Sequence, residues 1–175
     1  MTKLLQISQL GHEVLRKKAS FVENINNKEI QDLIDDMINT VKDSNGVGIA
    51  APQVYESIRI FIVASNPSQR YPDAPKMEPT AIINPEIVYY SDEILKDWEG
   101  CLSIPGVRAM VPRNKSIEVE YTDRDGNSQK CQFEGFIARI FQHEYDHLEG
   151  LVFLDRLDST KDIITEKEYQ KIISK

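Results

Sequence analysis

Two of the chain's three histidines, His143 and His147, stand four positions apart in "FQHEYDHLEG" (141–150), with Glu144 directly after the first. On a helix that interval places both imidazoles on one face, one turn apart, while Glu144 points about 100° further round. Two imidazoles so placed can grip one metal ion, and a carboxylate beside them can reach a water on that ion without being a ligand. Hydrolysis is the chemistry such a set supports. Ordinary packing, with each ring bonded to a carbonyl, explains a lone buried histidine. It explains a pair with an inward glutamate less well, because an unpaired buried carboxylate is costly and a nearby dication offsets that cost.

The element that must position these groups is a helix over about 136–148. Phe136, Ile137, Ile140, Phe141 and Leu148 cover most of it, and Arg139, Gln142, Asp146 and Glu149 form one narrow polar stripe. The helix is therefore expected to be mostly buried, with that stripe outermost. A third ligand is still needed. Metallopeptidases that share H-E-x-x-H take it from downstream, but no histidine follows His147. Glu166 and Glu168 lie in a lysine-rich stretch, about 159–175, that reads as a short surface helix or tail and is a poor source. Upstream, "DWEGCLSIPGVRAMVPR" sets Cys101 after a glycine among small and apolar residues, and a thiolate there could close a Cys, His, His set.

The remainder of the chain frames that site. One domain over residues 1–175 suits the length. With 21 lysines and arginines against 28 acids, the net charge of −7 opposes general attraction to nucleic acid or anionic membranes. No apolar run reaches signal-peptide or membrane-span length, so a cytosol-like compartment is expected, with Cys101 and Cys131 as thiols. Apolar residues from Ile30 to Val41 recur at helical spacing, with Asn27 to cap the helix and Gly46 to end it. "IRIFIVAS" reads as a strand, the proline-rich stretch 66–79 as an irregular loop, and Asp125-Gly126 as a hairpin turn. The fold class is α+β, with strands before a late helix.

Three motifs in order, "GVGIAAPQ" (46–53), "EGCLS" (99–103) and "QHEYDHLEG" (142–150), resemble those of the peptide deformylases. The resemblance implies antiparallel sheets packed around a buried central helix that carries H-E-x-x-H. It implies a hydrolase that removes the formyl group from N-terminal formylmethionine of nascent proteins in the bacterial cytoplasm, with transient ribosome contact. Carried over to this sequence, it makes Cys101, His143 and His147 the metal ligands and Glu144 the general base. The side-chain amide of Gln53 and the backbone N–H of Leu102 would hold the oxyanion. Val47, Gly48, Ile49, Glu99, Gly100, Arg108, Arg139 and Ile140 would bind substrate, with Gly48 letting a bound peptide run beside the backbone. Arg108 either pairs with an acid or orients the substrate. Arg139 replaces an aliphatic residue of some members, its stem lining the methionine pocket and its guanidinium snorkelling outward. Fe²⁺ is implied, with Zn²⁺, Ni²⁺ or Co²⁺ as replacements. A zinc endopeptidase and a non-enzymatic metal-locked domain are the alternatives. "EGCLS" disfavours the first, and the buried Glu144 disfavours the second.

Overall fold

A computed structural model describes residues 3–67 and 74–174. The stretch expected to be an irregular loop lies partly outside them, and its last residues already belong to a strand. The elements in chain order are α1 (Lys28–Asp43), β1 (Gly48–Ala50), β2 (Ile60–Ser65), β3 (Met77–Tyr90), β4 (Ile94–Cys101), β5 (Ile104–Asn114), β6 (Ser116–Thr122), β7 (Ser128–Glu134), α2 (Gly135–Leu148), β8 (Ile163–Thr165) and α3 (Glu166–Ile173). They form two antiparallel sheets, ordered β1-β2-β3-β6-β7 and β4-β5-β8. Helix α2 packs on β1, β2, β6 and β7 of the larger sheet and on β5 of the smaller.

Strand β2 shows why its sequence is apolar at every position rather than alternating. Ile60 and Ile62 face α1, joining Ile34, Met37 and Val41, whereas Phe61 and Val63 face α2. Both faces are covered, so both periods must be apolar. Phe61 meets Phe141 edge to face at 4.9 Å, a geometry aromatic quadrupoles favour. Helix α1 begins as expected, with Asn27 Oδ1 accepting from the Glu29 N–H at 2.9 Å. Its end differs slightly. Asn45 takes the left-handed conformation (φ 51°), and the Gly46 N–H then closes on the Val41 carbonyl at 3.0 Å. In the β6–β7 hairpin the Asp123 carboxylate accepts from the backbone N–H groups of Asp125 and Asn127, and Gly126 supplies φ +87°.

The polar stripe of α2 departs from expectation. Arg139, Gln142 and Asp146 are only 7%, 5% and 2% exposed. Polar groups are tolerated inside when each finds a partner, and the strands β4 and β5 and the 3-10 turn Phe153–Arg156 provide them. Gln142 exchanges two hydrogen bonds with the Asn114 backbone. Asp146 accepts from Arg113 and Arg156, both at 2.6 Å. Arg139 points inward to Glu99 (2.8 Å) and the carbonyls of Val111 and Leu95; it does not snorkel.

The C-terminal segment lies on the smaller sheet. β8 adds to β5, Thr165 caps α3, and Tyr169, 5% exposed, edges Trp98 at 5.6 Å, while the rest of α3 faces mostly outward. No described helix is long and apolar enough to cross a membrane.

Candidate active site

Cys101 is the last residue of β4, and α2 supplies His143 and His147. One donor atom from each lies within 4.8 Å of the other two, and Cys101 Sγ is 3.4 Å from His147 Nε2. His143 Nδ1 meets Glu99 Oε2 at 2.8 Å, which fixes the ring and leaves Nε2 for a ligand. Glu99 is itself clamped by Arg113 through Nε (2.9 Å) and Nη2 (3.0 Å) and by Arg139. Glu99, expected as a substrate contact, is on the cavity wall with both carboxylate oxygens engaged, and it orients His143.

The two imidazoles differ in their surroundings. Burial opposes charge on His143, but hydrogen bonds to Cys101 and Glu99 outweigh it and raise its pKa well above the ordinary value. Burial and the neighbouring His143 keep His147 well below that value, hence neutral and able to ligate. Glu144 is 4% exposed, its Oε2 lacks a hydrogen-bond partner, and burial pushes its pKa up to about 7. A soft thiol, two imidazoles and an unsatisfied carboxylate beside them fit a divalent metal ion and its water.

Gly48 has a reason that the sequence did not disclose. A Cβ there would lie 2.8 Å from Glu144 Cδ and 2.9 Å from its Cγ. The carboxylate rests against the bare backbone of β1, which is itself pinned to β2. Gly48→Ala should therefore leave the fold and metal content intact and lower kcat/KM at least ~10²-fold by displacing Glu144 about 1 Å. Steady-state kinetics with metal analysis on the same preparation check this.

Gln53, on the 3-10 turn Ala51–Val54, accepts from the Ala50 N–H at 2.8 Å through Oε1. Its Nε2 thereby faces Cys101 Sγ (3.3 Å) and Ser103 Oγ (3.2 Å). A cavity of about 270 Å³ opens beside these groups, and Val47, Gly48, Gly100, Leu102, Arg108 and Ile140 are on its wall. Ile49, expected with them, is fully buried in the α1 core because strand alternation turns it opposite Gly48. Trp98 is also on the cavity wall, whereas His12 caps a 3-10 turn and Cys131 packs at the edge of the core.

Sequence reasoning missed two groups. Arg113 was hidden in "VPR", although a lone basic residue two positions from the inward Val111 on a strand is the available signal. Glu166 was set aside with a polar tail, yet it lines the cavity and bonds Arg108. "IIT" followed by Glu168 at the third helical position is a strand ending in a helix start, the pattern that could have revealed it.

Residues 4–162 match the family model for polypeptide deformylase. The chain belongs to the peptide deformylase family. It is 61% identical over 173 residues to peptide deformylase 2 of a Nostoc species, covering 99% of this chain and 97% of that one. It is 46% identical over 151 residues to the peptide deformylase of Dictyoglomus thermophilum, covering 86% and 91%. The Met-Ala-Ser-bound class I type b peptide deformylase of Acinetobacter baumannii superposes with TM-score 0.88 at 43% identity, covering 90% of this chain and all of that one. The enzyme from Thermotoga maritima gives 0.80 at 36%, covering 90% and 99%. The family is metal-dependent, and this deformylase is a hydrolase of formylmethionyl peptides.

Proposed function

We propose that Cys101, His143 and His147 hold the metal ion and that Glu144 is the proton carrier in removal of the N-formyl group. The juxtaposition of Cys101 Sγ and His147 Nε2 at 3.4 Å, with the unpartnered Glu144 carboxylate alongside, carries this reading. A bound dication supplies the charge that acidifies water and polarises the formyl oxygen. Glu144 takes a proton from the attacking water at its carboxylate and hands it to the departing amine nitrogen, so one group is base and then acid. Gln53 Nε2, aimed by its bond to the Ala50 N–H, and the Leu102 backbone N–H are the donors to the developing oxyanion. The formylmethionine side chain occupies the cavity between Ile140, the Arg139 stem and Trp98. The Acinetobacter enzyme binds Met-Ala-Ser, which is what deformylation of formyl-Met-Ala-Ser would leave. Formate release from formyl-Met-Ala-Ser, with acetyl-Met-Ala-Ser inert, is the expected outcome; cleavage between residues would refute the assignment.

Fe²⁺ is the working ion in this reading, acting in the bacterial cytoplasm on nascent chains with transient ribosome contact. The ligand set suits Fe²⁺ and Zn²⁺ alike. An iron-loaded sample is expected to lose activity in peroxide through oxidation at Cys101 or the metal, and a nickel-loaded one to resist. Full activity of the iron form after hours in peroxide would exclude iron.

A further inference from the structure

The C-terminal segment forms part of the cleft wall. β8 pairs with β5 so that Ile164 lies opposite Arg108, and Glu166, the first residue of α3, reaches the cavity. Glu166 Oε2 accepts from Arg108 Nε at 2.6 Å, and Oε1 accepts from Gln170 Nε2 at 2.7 Å. The Arg108 guanidinium lies 4.9 Å over the Tyr169 ring, and its Cζ would be 2.8 Å from a Cβ on Gly100. The cation is thus sealed beneath the β4 backbone that leads into Cys101. Its side chain is 3% exposed, whereas that of Glu166 is 30% exposed.

That asymmetry matters for charge selection. Of the other described charged side chains on the cavity wall, Glu99 and Arg139 are locked in the buried network around His143, and Glu144 is buried beside the metal ligands. Glu166 is the carboxylate on that wall with substantial solvent contact. A charge at a partly desolvated wall acts on substrate charges more strongly than it would in open water.

We propose that Glu166 is a specificity-determining residue of the deformylation reaction, setting which charged residues are accepted after the formylmethionine. The carboxylate offsets Arg108 and disfavours peptides with an acidic residue at the second or third position. The proposal rests on the reading that this cleft holds the formylmethionyl peptide.

Glu166→Gln keeps the shape of the side chain and an oxygen for Arg108 while deleting the charge. Matched amidated pairs test it: formyl-Met-Glu-Ser against formyl-Met-Lys-Ser, and formyl-Met-Ala-Glu against formyl-Met-Ala-Lys. In Glu166→Gln the acidic-to-basic ratio of kcat/KM is expected to rise about ten-fold in at least one pair. The neutral formyl-Met-Ala-Ser gives each variant's common factor, against which the ratios are read; Glu166→Asp should move the ratio back, and added salt should shrink the change. An unchanged ratio, or one common factor across all peptides, would overturn the proposal while leaving the deformylase reading intact. A wild-type protein that releases formate from none of them would overturn both.

Discussion

Glu144→Gln is expected to lower kcat/KM for formate release about 10²–10⁴-fold while the protein keeps its fold and its metal. Gln is isosteric, so the contact with Gly48 survives, and Cys101, His143 and His147 are untouched. What disappears is the carboxylate beside the trio whose unpartnered oxygen takes a proton from water and returns it to the amine. Thermal stability should not fall. In the native protein Glu144 is a buried carboxylate with an unpartnered oxygen, a cost that function imposes on stability and that a neutral amide lessens. Near-normal turnover in this variant would remove Glu144 from the chemistry.

Arg113→Met should have the largest effect on stability. Arg113 is 5% exposed and bridges two buried carboxylates, Glu99 and Asp146. Removing one member of a buried ion network leaves uncompensated charge, which costs about 3–5 kcal/mol, or roughly 10 °C in Tm for a chain of this length. Glu99 would keep Arg139 and His143, and Asp146 would keep Arg156, so the protein should still fold. The network also sets an acid limit. Burial alone would raise the Glu99 pKa, but the charge on Arg113 and hydrogen bonds from His143 and Arg113 hold it well below its ordinary value of 4.5. A depressed folded pKa stabilises fully above about pH 4.5 and is lost as the pH falls through the lower folded value. Wild-type Tm should therefore drop steeply in acid and that of Arg113→Met more shallowly; parallel pH profiles from thermal melts would contradict the role given to Arg113.

Groups related by local spacing were legible from the residues alone, whereas partnerships across the chain were legible only where the motif resemblance carried them, as for Cys101 and Gln53. His143, Glu144 and His147 share one helical turn or little more, so their mutual placement follows from the 3.6-residue period. α1 and the β6–β7 hairpin carry their own periodicity and turn residues in the same way. The burial of Arg139, Gln142 and Asp146 depends on Glu99, Arg113, Asn114 and Arg156, which the helix sequence does not contain. Polarity alone therefore assigned them wrongly to the outside. β8 is only three residues long, too short for alternation to register, and without it Glu166 and Tyr169 looked like tail. Gly48 was flagged for the correct feature, a missing side chain, but the neighbour that requires it is Glu144 from the other end of the chain.

The closure of the metal site by Cys101 is tested most directly by metal content and formate release on one anaerobically purified sample each of wild type and Cys101→Ala. The wild type should carry one divalent ion per chain and release formate from formyl-Met-Ala-Ser, and Cys101→Ala should lose the ion and the activity together. A Cys101→Ala protein that retains both would contradict the thiolate, two-imidazole centre.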